Sequence, residues 1–246
     1  MTRGDLSIAV NGETLMLDRS GAAWWPAERT LVVADIHFEK GSAFARRGQL
    51  LPPYDTRSAI RRLEAVMARL TPRRVIALGD SFHDGEAGGR LDREERDRLK
   101  ALVAGADWIW VEGNHDPEPP AWLGGAIAHE AAIGRLAFRH LPGEGPCPGE
   151  VAGHLHPVAT VRWHGMGVRR RCFASDGSRL LLPAFGAYAG GLDVRDGAVA
   201  GLFAGGYAVY ALGRERVYAT AVHSLRRKNS VEAQPRKTAN RTVATP

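Results

Sequence analysis

The sequence contains little cysteine and no long apolar run, and both absences exclude classes of protein. Only Cys147 and Cys172 occur among 246 residues, and they form no C-x-x-C pair. Two separate thiols argue against a disulfide framework and against a structural zinc site built from thiolates. No stretch approaches the ~18 apolar residues that a membrane span needs, and the start of the chain lacks the basic-then-apolar pattern of a signal peptide. We therefore expect a cytoplasmic protein that does not enter the membrane.

The net charge of +6 is unevenly distributed along the chain. Residues 226–246 contain six lysines and arginines and one glutamate, so the rest of the chain is close to neutral. This segment is rich in small polar residues and nearly free of large apolar ones, which is typical of disorder. We predict one domain over residues 1–225, long enough to bury a proper core, and a basic, disordered tail over residues 226–246. The tail can contact nucleic acid phosphates or can simply keep the protein in solution, and its composition does not separate the two.

Strand-like runs and helical spacing alternate in the first half of the chain, and strands dominate the second half. Asn11-Gly12 predicts a hairpin turn, and Asp55 or Thr56 can cap the first long helix. This order predicts an α/β sandwich of two packed sheets with helices on both outer faces. The predicted helices are 59–70 and 91–104, and the predicted strands are 6–10, 14–17, 30–34, 74–78, 108–111, 126–129, 135–140, 151–152, 158–163, 171–174, 179–182, 207–212 and 216–219.

Polar residues of metal-binding type recur directly after four of the predicted strands. In open α/β sheets, ligands bind beyond the carboxyl ends of the strands, so these four ends are expected to converge. A glycine just before several of these residues lets the backbone turn sharply. The four segments are Asp35-Ile36-His37, Gly79-Asp80, Gly113-Asn114-His115-Asp116 and Gly153-His154-Leu155-His156.

These segments offer carboxylate, amide and imidazole donors and no thiolate. Such a set suits Mn, Fe, Zn, Co or Ni at a mixed nitrogen and oxygen site. A carboxylate such as Asp80 can bridge two cations, and a pair ~3.5–4 Å apart can clamp the attacking and leaving oxygens of a displacement at phosphorus. Metal ions also lower the pKa of bound water, so a nucleophile is available at neutral pH. The pattern is therefore compatible with a two-metal site that could act on phosphate esters.

Together with a separate His140, the four segments resemble the calcineurin-like metallophosphoesterase superfamily in residue type and chain order. The resemblance implies a four-layer αββα sandwich. It also implies that His115 faces the scissile phosphate, where it stabilises charge or protonates the leaving oxygen, and that Asp116 orients this histidine. By the same resemblance, a first metal is held by Asp35, His37, Asp80 and His156, and a second by Asp80, Asn114, His140 and His154.

A closer resemblance is carried by residues between and beyond these segments. His83 stands three residues after Asp80, where phosphatases of the superfamily usually carry Asp and its double-strand-break repair nucleases carry His. Residues 35–40, 45–56 and 181–186 are similar to the bacterial ligase-associated metallophosphoesterases. That family implies a manganese-dependent DNA endonuclease that acts on single-stranded or damaged DNA in repair, with a functional link to a DNA ligase and a helicase. His83 then joins His115 as a candidate for handling the leaving group.

Two other functions fit the same residues. A phosphomonoesterase or a cyclic-nucleotide phosphodiesterase would use the same metal site with different surrounding walls. A nucleic-acid binding module with a catalytically silent metal site is the third hypothesis, and the complete set of ligand types argues against it.

Each motif alone is also compatible with an ordinary structural role. Asn and Asp after Gly are common turn residues, and a histidine pair at a strand end can simply be buried. The coincidence favours a site, because six of the nine histidines fall at motif positions. Trp24-Trp25 is predicted to pack rather than to stack on bases. Arg46-Arg47 fits a phosphate contact or a solvated face equally well, and Arg169-Arg170-Arg171 is a stronger basic cluster that can also cover a strand edge.

Overall fold

The computed structural model describes residues 5–115, 118–164, 166–222 and 225, and within them two mixed β-sheets pack face to face. The first sheet orders its strands as they occur in the chain, antiparallel from β1 to β4 and parallel from β4 to β7. Its strands are β1 (Leu6–Val10), β2 (Glu13–Leu17), β3 (Ala23–Trp25), β4 (Thr30–Ala34), β5 (Arg74–Leu78), β6 (Asp107–Val111) and β7 (Ala126–Ala128).

The second sheet follows the first in sequence and has the order β15-β14-β12-β13-β10-β9-β8, with β11 paired to β12 beyond this path. β10 is parallel to its neighbours β9 and β13, and the other pairs are antiparallel. Its strands are β8 (Ala131–Ile133), β9 (Leu136–Arg139), β10 (Glu150–Ala152), β11 (Val158–Trp163), β12 (Met166–Ser175), β13 (Leu180–Leu181), β14 (Ala208–Leu212) and β15 (Val217–Ala221).

The alternation of side chains along the strands divides the core into layers. Leu31 and Val33 of β4 pack with the helices on the outer face of the first sheet. Val32 of the same strand faces inward and packs with Phe138 and Phe173 of the second sheet.

The helices are α1 (Lys40–Arg46), α2 (Asp55–Leu70), α3 (Ala87–Arg90), α4 (Arg93–Ala104) and α5 (Gly197–Ala200).

The outer face of the second sheet is covered by α5 and irregular chain. Val199 of this four-residue helix and Phe203 after it pack against Cys172, Ala174 and Val209 of the sheet. The predicted four-layer sandwich is therefore confirmed, although its second helical layer is thin. Both cysteines are free thiols, as the sequence predicts. No helix within the described ranges is long and apolar enough to cross a membrane.

The structure differs from the sequence prediction at several local points. The Asn11-Gly12 hairpin is confirmed, whereas the helices α1, α3 and α5 and the strands β3 and β8 were not predicted. The proposed caps of α2 are wrong, because the helix begins at Asp55 and its N-cap residue is Tyr54, without a side-chain bond. The side chains of Asp55 and Thr56 instead accept hydrogen bonds from the backbone N–H groups of α1 and its preceding residue. Trp24 and Trp25 are buried in the core, as predicted.

Candidate metal centre

The four predicted strand ends converge on one cleft of about 400 Å³. β4, β5 and β6 are parallel neighbours, so the segments that follow them emerge at the same edge of the first sheet. The segment after β10 reaches the same place from the second sheet, where Gly186 and Phe185 also bond to the end of β4. The cleft is lined by His37, Lys40, Phe44, Arg47, Asp80, His83, Asp84, Asn114, His115, His154 and His156.

Five of the predicted ligands have a left-handed backbone. The φ angles are 53° at Asp35, 49° at His37, 46° at Asp80, 67° at His154 and 46° at His156. Residues other than glycine seldom adopt this conformation, which costs on the order of 1–3 kcal/mol at each position. The surrounding fold therefore imposes these angles in the segments that follow β4, β5 and β10.

The first cluster consists of Asp35, His37 and His156, whose potential ligand atoms all lie within 4.8 Å of one another. His156 Nε2 is 3.1 Å from Asp35 Oδ1, and His37 Nε2 is 3.5 Å from His156 Nε2. The backbone N–H of His154 donates to the Asp35 carboxylate at 3.0 Å and fixes its orientation. This is the group that the resemblance assigns to the first metal.

The second cluster consists of Asp80, His140 and His154. His140 Nε2 lies 3.1 Å from His154 Nδ1 and 3.5 Å from Asp80 Oδ2. Asn114 Oδ1 is 2.8 Å from the same His140 nitrogen. The structure thus brings together all four residues predicted around the second metal, including His140, which follows β9 and has no motif of its own.

Asp80 lies between the two clusters. Its Oδ2 is 3.9 Å from His37 Nε2 in the first cluster and 3.5 Å from His140 Nε2 in the second. Its Oδ1 accepts a hydrogen bond from the backbone N–H of His115 at 2.9 Å. A carboxylate in this position is suited to contact two cations at once, as the sequence predicts.

The second cluster places acceptor atoms against one another. His140 Nδ1 lies 3.0 Å from the carbonyl of Leu78, which can only accept, so in an imidazole that carries one proton Nε2 is the lone-pair acceptor. That atom faces Asn114 Oδ1, Asp80 Oδ2 and His154 Nδ1, which are themselves acceptors in metal-binding form. Such a group repels itself unless a cation is bound within it, and a backbone carbonyl that fixes the imidazole tautomer is a common support for metal-binding histidine. The residues present therefore fit a divalent cation.

Three histidines of the cleft have a lowered pKa, which favours the neutral form that metal binding requires. Burial, with a smaller repulsion from Lys40, lowers the pKa of His37 to about 2. Burial is also the first cause that lowers the pKa of His83 and of His154 below the ordinary histidine value. The pKa of the half-buried Lys40 is lowered by desolvation, while Asp80 and Asp35 oppose that shift.

His83 and His115, the predicted catalytic pair, lie against each other in the cleft. Their rings are stacked with centroids 5.4 Å apart, and each also contacts the edge of His37. The side chain of His115 is 46% exposed, so it can reach a bound substrate. The third predicted catalytic residue, Asp116, lies outside the described residues.

α1 was not predicted from the sequence, and of the cleft residues that it contributes only Arg47 was considered, as a phosphate contact or part of a solvated face. Lys40, Phe44 and Arg47 line the cleft at helical spacing, and Phe44 packs 5.9 Å from the ring of His83. Arg46, by contrast, points away and pairs with Glu86. Lys40, Phe44 and Arg47 are spaced by four and then three residues, which is typical of one face of a helix. A helix of seven residues is, however, too short to be detected by its hydrophobic periodicity.

Gly79 permits the close approach of His140 to β5. Its φ is +66°, and a Cβ there would lie 2.5 Å from the His140 ring. We expect Gly79→Ala to lower the thermal midpoint and to weaken metal affinity about tenfold or more, because strain of ~1 kcal/mol is added to a displaced ligand. Gly85→Ala is the control, since a Cβ at Gly85 meets nothing within 4 Å. Calorimetric titration with Mn²⁺ measures the difference, and equal affinities in the two variants would contradict this role of Gly79.

Comparisons with known proteins bear on the family to which the chain belongs. The crystal structure of the Pseudomonas putida nuclease MPE is 26% identical, covers 88% of this chain and 100% of its own, and superposes with a TM-score of 0.70. A protein of unknown function from Aquifex aeolicus is 17% identical over 52% of this chain and 78% of its own, with a TM-score of 0.38. No curated protein matches the chain. The sequence model of calcineurin-like phosphoesterases matches residues 28–171, more than half of the chain. The chain therefore belongs to the calcineurin-like phosphoesterase family and is a metal-dependent phosphoesterase.

Proposed function

We propose that the chain is an endonuclease that hydrolyses phosphodiester bonds of DNA with two divalent cations. The observation that carries this proposal is the pair of acceptor clusters that share Asp80 within one open cleft. The first cation is assigned to Asp35, His37, Asp80 and His156, and the second to Asp80, Asn114, His140 and His154. Bound cations supply the positive charge that activates water and stabilises the phosphate during displacement.

The remaining residues of the cleft fit an anionic substrate. Asn114 is a neutral amide, so it contributes a donor atom without adding negative charge. Lys40 and Arg47 bring positive charge to the wall formed by α1. His83 and His115 stand side by side and are assigned to the leaving oxygen, where a positioned imidazole can donate a proton or a hydrogen bond. The backbone bond from His115 to Asp80 ties this pair to the metal site.

Nucleic acid is the proposed substrate because a nuclease from Pseudomonas putida shares the fold over its whole length. His83 supports this choice, since the resemblance places histidine at this position in repair nucleases. The same resemblance extends the proposal to single-stranded or damaged DNA, to a role in DNA repair in the cytoplasm and to a functional link with a DNA ligase and a helicase. Manganese is the proposed metal because the same resemblance implies it, and oxygen and imidazole donors without thiolate are compatible with it.

A metal-by-substrate screen of the purified protein tests the proposed function. We expect Mn²⁺ to support nicking of plasmid DNA and hydrolysis of small phosphodiesters. Release of phosphate from monoesters without any DNA cleavage would replace the proposal with a phosphomonoesterase, and activity confined to cyclic nucleotides would replace it with a cyclic-nucleotide phosphodiesterase. Tight DNA binding without cleavage in Mn, Fe, Co, Ni and Zn would indicate a silent binding module.

Arg47 and Arg46 form a matched pair for testing the wall of the cleft. We expect Arg47→Ala to raise the KM for an oligonucleotide about tenfold with little change in kcat, because a charge-assisted bond to a phosphate is lost in both ground and transition states. Arg46→Ala removes the same charge one residue away, where Glu86 already holds the guanidinium. Steady-state kinetics with both variants make the measurement, and an equal rise in KM would assign the effect to general electrostatics.

The basic tail is tested by deletion. The division into a domain over residues 1–225 and a tail over residues 226–246 is a proposal from composition, and this tail lies outside the described residues. We expect the truncated chain to show a weaker salt dependence of DNA affinity, with the log–log slope reduced by ~0.7–0.9 for each lost phosphate contact. Fluorescence anisotropy over a range of salt concentrations measures the slope. An unchanged slope would exclude the tail as a DNA contact.

A further inference from the structure

The hairpin of β11 and β12 extends beyond the second sheet at the end that carries the metal cleft. β10 runs toward the cleft, since His154 and His156 closely follow its last residue, and β13 is parallel to it. β12 runs in the opposite direction and pairs with β13 and β14 only through residues 172–175. Its first six residues pair with β11 instead. About 20 Å of two-stranded ribbon therefore projects on the cleft side.

The two faces of this ribbon have different surroundings. Arg171, on the inner face, donates to the carbonyls of Ala184 and Gly186, in the segment that bonds to the end of β4 beside Asp35. Val161 and Val168 stand opposite each other on the outer face, which continues the buried outer surface around Cys172. The inner face is therefore directed toward the metal cleft and the outer face away from it.

A groove of about 680 Å³ follows the outer face. The end of β14 and the start of β15 form its second wall, at the cleft end of the sheet because β14 is antiparallel to β12. Its floor is apolar and includes Val161, Val168 and Leu225. Tyr218 lines it with 40% of its surface exposed. We call this feature the ribbon groove.

Arginine side chains surround the ribbon groove. Arg162, Arg170 and Arg214 line it, and none of the three forms an ion pair with any residue in the described ranges. Glu215 is the single acidic residue among the described lining residues. The guanidinium of Arg216 lies 4.8 Å from the centroid of the Tyr218 ring.

We propose that the ribbon groove binds a single-stranded segment of nucleic acid outside the metal cleft, an inference that rests on the proposed nuclease function. The arginines supply unpaired positive charge for phosphates, and the apolar floor with Tyr218 supplies a surface for unstacked bases. A duplex keeps its bases stacked inside and offers mainly its backbone to such a surface. A strand that leaves the cleft can cross the ribbon and enter the groove at the same end of the molecule.

Equilibrium binding of a fluorescent oligothymidylate of about 20 nucleotides, longer than one such binding site, tests the inference in the full chain with a chelator present. The groove variant carries Arg162→Ala, Arg170→Ala and Arg214→Ala. The control carries Arg61→Ala, Arg73→Ala and Arg93→Ala, which remove the same charge from exposed positions around the first sheet. We expect the groove variant to bind about tenfold more weakly or worse, with a log–log salt slope smaller by about 2, at ~0.7 for each phosphate contact. Tyr218→Ala should weaken binding about fivefold without changing the slope.

An equal loss of affinity in the groove and control variants would overturn the inference, because bulk charge would then explain binding. Wild-type affinity in the groove variant would overturn it as well. Hydrolysis of a small aryl phosphodiester should be unchanged in every variant, since this substrate does not reach the groove. If the wild type hydrolyses neither this diester nor DNA with any metal, the proposed function fails, while the binding comparison still decides the role of the groove.

Discussion

Asp80→Ala should lower phosphodiester hydrolysis about a thousandfold or more while the fold persists. The carboxylate lies 3.9 Å from the first cluster at His37 and 3.5 Å from the second at His140, so its loss weakens both proposed metal sites. Metal ions contribute several kcal/mol to such reactions, and each 1.36 kcal/mol is a factor of ten in rate. Initial rates with excess Mn²⁺, metal content for each chain and the thermal midpoint measure the effect. His37→Ala and His154→Ala should behave similarly, since each removes a donor from one cluster.

A surface carboxylate provides the control for this prediction. Asp97 is exposed on α4 and forms a 3.8 Å ion pair with the exposed Arg93. Asp97→Asn should keep the wild-type rate and the wild-type rise in thermal midpoint when metal is added, a rise that follows from binding to the folded state alone. Full activity of Asp80→Ala, His37→Ala or His154→Ala with metal present would refute the two-metal mechanism.

His115→Ala should lower the rate by about 10²–10⁴-fold while both metals stay bound, the range expected for loss of a positioned general acid or base. The imidazole is exposed in the cleft and stacked on His83, whereas its backbone N–H holds Asp80 and remains after the substitution. The loss should be largest for DNA and smaller for an aryl phosphodiester, because a good leaving group needs less help from the enzyme. Rates with both substrates and the metal content of the variant make the measurement.

Asn114→Ala is the neighbouring comparison, since its amide oxygen lies 2.8 Å from His140 Nε2 within the second cluster. We expect this variant to lose affinity for one metal, which His115→Ala does not. Loss of metal from His115→Ala would make this histidine a ligand rather than a catalytic residue. An equal loss of rate with both substrates would instead assign it to binding or charge stabilisation.

The strands and the convergence of their polar ends could be predicted from sequence, because both follow from local rules. Val32 and Ile76 lie within short apolar runs that end in Asp35 and Asp80, and parallel strands present such ends at one edge. His140 was assigned only through the resemblance. The structure provides a physical reason for its place, since Gly79 leaves space for its ring and the Leu78 carbonyl fixes its tautomer.

The features that escaped prediction depend on contacts between distant segments. α1 has a left-handed Glu39 before it and no side-chain cap bond. It is held by Asp55, whose buried carboxylate accepts from Gly41, and by Thr56, which bonds to Glu39. One or the other of these two side chains was predicted to cap its own helix, and sequence alone does not show which of two backbone partners a short polar side chain will bind. The contacts that hold α1 in place were therefore not predicted, in addition to the helix being too short for its periodicity to be detected.

The donors of each cluster come from both sheets, and the sheets come from successive halves of the chain. Asp35, His37 and Asp80 follow strands of the first half, whereas His140, His154 and His156 follow strands of the second. Neither half contains a complete set for either cation. Two ions held here would link the two sheets to each other. Separation of the sheets and release of the ions would then occur together. Removal of the ions by a chelator would then weaken the association of the two sheets as well as stop phosphodiester hydrolysis.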